Sequence, residues 1–135
     1  MLFQNDRKMG IDPRFKKGLE LFNKGEYFEC HEVIEDLWLE TDPSDPFRDL
    51  YKGVIQAAAA IYQFDRGILS GAIGLYKTST QYLKSYKPKA LGLDVNKLII
   101  GMKACFKPLE GWDRKKKIVL QKKLIPKLDY HFKLC

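Results

Sequence analysis

The residues whose types and spacing best suit chemistry are His31 and Glu35, in the stretch Tyr27-Phe-Glu-Cys-His-Glu-Val-Ile-Glu-Asp-Leu-Trp38. Read as a helix at about 100° per residue, an i, i+4 pair lies side by side on one surface. A carboxylate beside an imidazole orients the ring and fixes its tautomer, which suits a general base. The same two groups are donors for a divalent metal, so His31 and Glu35 are the candidate catalytic pair and the candidate metal ligands. Trp38 follows His31 by seven residues and would form an apolar wall, and Tyr27 precedes it by one turn on the same broad side. A metal centre wants at least three protein ligands, and this stretch offers two, with Cys30 about 100° around the helix from His31. The alternative to a working pair is a buried His satisfied by Glu35 for purely structural reasons.

These residues need a helix to hold them and a second one to face. Cys30, Val33, Ile34, Leu37 and Trp38 mark the inward side of the first, from about Glu26 to Leu39, while Glu29, Glu32, Asp36 and Glu40 mark its solvent side. Before it, Asp12 suits an N-cap and Pro13 a first helical residue, and Phe15, Leu19 and Phe22 recur at helical spacing up to Asn23-Lys24-Gly25. After it, Thr41-Asp-Pro-Ser-Asp-Pro46 is a break. A central helix is expected over 46–66, apolar or small nearly all round from Gly53 to Phe64, and so buried. Gln56 and Gln63 share a face of it. A buried amide needs partners, so Gln56, with Gln63 beyond it, is expected to face His31 and Glu35 as a ligand-binding contact. A fourth helix is expected from Leu69 to Tyr86 and a fifth from Val95 to Phe106, with Ala90–Asp94 as linker.

The predicted architecture is all-α: a compact bundle of five or six helices built from antiparallel hairpins. Residues 1–12 read as a loose tail, 13–112 as the helical domain, and 113–135 as a basic segment, interrupted at Pro126, that docks through Ile118, Leu124 and Leu128. Laying residue 25 on residue 67 reveals a repeat of offset 42: Phe22-Asn-Lys-Gly25 matches Phe64-Asp-Arg-Gly67, and Cys30 falls on Ala72. Each unit is helix, Gly turn, helix, the pattern of stacked hairpins.

Charge divides the chain. Residues 26–49 hold nine acids and Arg48 for a net −8, whereas 97–135 carry a net +8, within an overall +7. The two ends could attract one another within the fold or across a homo-oligomer. No apolar run approaches the roughly 18 residues of a membrane span, and the first residues lack the apolar core of a signal peptide. Three widely spaced Cys make neither a disulfide framework nor a zinc ribbon, and a cytoplasmic setting is expected. The Lys115–Lys117 run is the sole support for nucleic-acid binding, which is disfavoured for want of a reading motif.

Phe22-Asn-x-Gly-x-Tyr-Phe-Glu-x-His31-Glu-x-x-Glu35-x-x-Trp38, followed by Gly53-x-Ile-Gln56 and the Gly67 turn, resembles the bacterial and archaeal domain-of-unknown-function family 309 over about residues 15–85. The resemblance implies a small all-helical protein whose signature, here His31, Glu35 and Trp38 with Gln56 nearby, has been read as a metal-binding or hydrolase site. This chain has Tyr62-Gln63 and Ile68 where relatives often carry His and Asn. Gly25-Glu-Tyr-Phe-Glu-Cys with Asp42-Pro43 is also similar to half of a tetratricopeptide repeat. Two functions follow as expectations. One is a small-molecule or metal site under the central helix, a metal-dependent hydrolase if it is an enzyme. The other is a tetratricopeptide-like module that binds protein partners, with His31 and Glu35 as a structural pair.

Overall fold

Asp12 begins the fold. In the computed structural model, which describes residues 10–132, its carboxylate accepts the Arg14 N–H at 2.8 Å, with Pro13 in the first turn, and so caps helix α1 (Pro13–Asn23). Most of the loose tail expected at 1–12 lies outside the described residues. Helix α2 (Tyr27–Glu40) follows after a tight turn, α3 (Arg48–Asp65) after an acidic loop, and α4 (Leu69–Leu83) after a second tight turn. A 3₁₀ turn, Lys84–Tyr86, extends α4 to the predicted end. Helix α5 (Val95–Phe106) is capped by Asp94, whose carboxylate accepts the Lys97 N–H at 2.9 Å. The fold is all-α, as predicted, with the core lying between the two α-hairpins and under α5.

The two hairpin turns are closed by the same hydrogen bonds. Gly25 N–H donates to Phe22 O and Gly67 N–H to Phe64 O, both at 3.0 Å; Glu26 donates to Leu21 O and Ile68 to Gln63 O, both at 2.9 Å. This pattern ends a helix through a residue in the left-handed region, and Gly25 (φ 82°) and Gly67 (φ 79°) are the ones that take it.

Helix α3 is central but is not buried all round. Leu50, Val54, Ile55, Ala57, Ala58, Ile61 and Phe64 face the core. Lys52, Gln56, Ala59 and Gln63 form a half-buried stripe at helical spacing. That stripe corrects the sequence expectation: long and amide side chains reach the surface of a helix whose small residues let its neighbours close in elsewhere. Its start is two residues late because the Asp45 carboxylate accepts the Phe47 N–H at 2.8 Å and holds Pro46-Phe47 in the loop.

Two features are not helical. Lys89–Ala90 and Leu93–Asp94 pair as a small antiparallel ladder, β1 and β2, where a linker was expected. The basic segment after Trp112 runs as an extended strap with one 3₁₀ turn at Lys122–Leu124. Leu120 and Leu128 are buried, and Ile118 and Leu124 pack on the core. Asn23 pins the strap through Nδ2 to Leu128 O (2.9 Å) and Leu128 N–H to Oδ1 (2.6 Å). The Asp94 N–H donates to Asp129 O and His131 N–H to Gly92 O, both at 2.8 Å. Among the described residues, no ion pair joins the acidic stretch 26–49 to the basic end. No helix there is long and apolar enough to cross a membrane.

Candidate functional site

Helix α2 turns Cys30, Ile34 and Leu37 into the core, which leaves His31, Glu35 and Trp38 on the flank facing α3. His31 Nε2 stands 3.5 Å from Glu35 Oε1, and the two side chains are 29% and 38% exposed. The pair is therefore together, as the i, i+4 spacing predicts, but at the rim of the fold rather than beneath the central helix. The separation is that of an ion pair when the imidazole is protonated, long for a hydrogen bond between neutral groups.

Trp38 is held from the α3 side by two cations. The Arg48 guanidinium lies 4.3 Å and the Lys52 ammonium 4.1 Å from its ring centroid. Phe28, three residues before His31 and 42% exposed, places its ring 6.1 Å from the imidazole and 5.4 Å from Tyr62. Arg48, Lys52 and Phe28 were not singled out by sequence, and Tyr62 only as a departure from the family pattern. Phe28 could have been found by its i, i+3 relation to His31; the others depend on the antiparallel register of α2 on α3, which no local pattern encodes.

The remaining predicted residues divide. Gln56 lies on the half-buried stripe of α3, but its recorded partner is Thr78 of α4, whose hydroxyl donates to Oε1, rather than His31 or Glu35. Tyr27 turns the other way. It packs edge-on to Phe22 at 5.1 Å, and burial raises its phenol above the ordinary range, so it belongs to a neighbouring cleft with Phe28 and Tyr62. Cys30 is buried and its thiol is pushed up to about 12 by desolvation, which removes it as a nucleophile or ligand.

Hydrogen-bond accounting marks this flank. Among the described residues, four buried side-chain atoms have no partner in the protein: His31 Nδ1, Trp38 Nε1, Arg48 Nε and Gln63 Oε1. All four belong to α2 and α3, and three come from the residues just described. By contrast, the fully buried Ser79 hydroxyl donates to Gly53 O at 2.7 Å.

Two questions of chemistry can be put to this geometry. A metal held by this chain alone needs a third donor, and among the described residues no group of three His, Cys, Asp or Glu could hold one; His31 and Glu35 alone do not fit a metal centre. An enclosed substrate needs a concavity. Three clefts of about 500 Å³ open on the molecule, and none is lined by His31, Glu35 or Trp38.

Residues 15–75, from α1 into α4, match the family model described as domain of unknown function, family 309. The uncharacterised protein YpuF of Bacillus subtilis (strain 168) is 34% identical over 97 residues, which are 70% of this chain and 55% of that protein. The chain thus spans about half the length of this curated relative. No solved structure matches the chain. The stretch that carries His31, Glu35 and Trp38 lies inside the matched segment, so residues 15–75 of this chain carry the domain of unknown function, family 309.

Proposed function

We propose that the protein is a helical binding module whose recognition surface is the α2–α3 flank, with His31 and Glu35 as its polar pair and Trp38 as its anchor. The observation that carries this reading is the set of unpartnered buried atoms on α2 and α3: His31 Nδ1, Trp38 Nε1, Arg48 Nε and Gln63 Oε1. Each such atom costs about 1–3 kcal/mol when left unpaired. A fold keeps several of them together where a partner supplies the missing bonds. His31, Glu35 and Trp38 line none of the three larger clefts, which suits a protein segment more than an enclosed small molecule. Its aromatic residues, Phe28, Trp38 and Tyr62, are of the type that dominates protein interfaces. Arg48 and Lys52 over Trp38 favour an acidic side chain on that segment. A metal-dependent hydrolase is less well supported, because two donors do not fix a metal.

The test exploits the cost of unpartnered groups. Replacing a polar atom kept for a partner with an apolar one relieves the isolated protein. His31→Leu and Gln63→Leu are each expected to raise stability by about 1 kcal/mol, seen as a Tm higher by several degrees. A Tm that falls in both variants would mean that the groups are satisfied structural elements. Metal content of untagged protein purified without chelator, beside His31→Ala, checks the other reading: stoichiometric metal that vanishes in the variant would replace the module with a metal site.

A further inference from the structure

A second constellation lies away from the His31 flank and does not depend on it. The turn between α3 and α4 faces the start of the strap across a cleft of about 510 Å³, lined by Arg66, Arg114, Lys115, Lys116 and Lys117 with Asp65 as the acid among them. The cleft's lining therefore carries four more positive than negative charges. The volume is that of a small-molecule site.

The loop that presents these cations is built, not loose. Trp112 Nε1 donates to Lys116 O at 2.7 Å, closing the loop on itself. The Asp113 carboxylate accepts the Lys115 and Lys116 N–H groups at 2.8 and 3.1 Å, so its charge is turned toward the backbone and held below the ordinary carboxylate range by those bonds. Arg114 sits at φ 69°, a left-handed conformation that costs a non-glycine residue free energy. Its Nη1 donates to Ser70 Oγ at 2.7 Å, anchoring the loop to the first turn of α4, and its guanidinium lies 5.6 Å from the Trp112 ring centroid. Four consecutive basic residues thus line this cleft on a loop held by hydrogen bonds to its backbone, at the expense of mutual repulsion and a strained backbone. No ion pair relieves Arg114, Lys115, Lys116 or Lys117 among the described residues.

We propose that this cleft binds an oligophosphate, a chain of two or three linked phosphates either free or as part of a nucleotide. Linked phosphates match the charge of the lining, and each presents several acceptor oxygens to the guanidinium forks of Arg66 and Arg114 and the ammonium groups of Lys115–Lys117. Trp112 has its indole N–H committed to Lys116 and Arg114 over its ring, so it organises the loop and is not a free platform for stacking bases along a strand. That favours a compact anion over single-stranded nucleic acid.

Calorimetric titration of the full chain with sodium triphosphate at low ionic strength is the test. Saturable one-to-one binding is expected. Lys115→Gln, Lys116→Gln and Lys117→Gln together should weaken it at least about tenfold. Removing the same charge elsewhere, at the exposed Lys84, Lys103 and Lys123, should change it less than about twofold. Absence of saturable binding to the wild-type protein overturns the proposal, as does an equal loss in both triple variants, which would reduce the effect to net charge. Tight binding of a single-stranded oligonucleotide or of anionic vesicles that triphosphate fails to displace would also overturn it, in favour of a macromolecular surface.

Discussion

The two α-hairpins, α1–α2 and α3–α4, share their turns and differ in their cargo. At the offset of 42, Gly25 matches Gly67 in φ and hydrogen bonding, and the buried Cys30 matches the buried Ala72. Then the correspondence stops. Ile73 stands where His31 does, Lys77 where Glu35 does, and Thr80 where Trp38 does. Ile73 packs against the core, and Thr80 merely donates to Tyr76 O at 3.1 Å. The second hairpin folds without an imidazole, a carboxylate or an indole at these places. A helical hairpin of this design therefore does not require them, and their presence on α2 asks for another reason.

The comparison can be broken first at its core. Ile34 is fully buried, and Ile34→Ala should cost about 3 kcal/mol in chemical unfolding. Tyr76, its counterpart, is partly exposed while stacking on Phe106 at 4.6 Å, so Tyr76→Ala should cost less. The turns come next. An added Cβ meets nothing within 4 Å at either Gly25 or Gly67, so only the backbone penalty remains, and each Gly→Ala change should cost about 1 kcal/mol. Clearly unequal losses would separate two turns that look alike.

The smallest effect sharpens the contrast. Helix α1 has a side-chain cap in Asp12, whereas the N-cap of α3, Phe47, has none. The Arg14 guanidinium, hydrogen-bonded to Asp12, lowers the carboxyl below its ordinary range against a smaller opposing effect of burial. A carboxyl with a depressed folded pKa adds stability that is present above its unfolded pKa of about 3.9 and lost as pH falls through the folded value. Asp12→Ala should thus cost up to about 1 kcal/mol at neutral pH and progressively less below about pH 4. A gap that persists unchanged in strong acid would place the cap's value elsewhere than in its charge.

Much of this was legible in the chain because it is local. Asp12-Pro13, Gly25, Gly67 and Lys87-Pro88 punctuate the helices at the residues that their chemistry dictates, and the His31–Glu35 neighbourhood follows from helical spacing alone. The cations over Trp38 and the Thr78 partner of Gln56 were not legible, since they arise from how three helices settle against one another. Helix α3 looked buried on every side because Ala and Gly do not say which of their faces is covered. The docking of 113–135 through Ile118, Leu124 and Leu128 was expected, but its path was not legible: Leu128 gains its order from Asn23, 105 residues earlier, and its own sequence carries no periodicity.

Those same Asn23 bonds make the strap an opening unit of its own. It crosses the domain with few buried side chains, so it should detach well below the free energy of global unfolding, and the amides of Leu128 and His131 should exchange with solvent ahead of those of α3. Detachment also dismantles the cleft to which the strap lends Arg114–Lys117. Strap closure and anion binding are then linked equilibria: an occupied cleft must slow exchange at Leu128, residues away from the ligand, by the free energy with which closure favours binding.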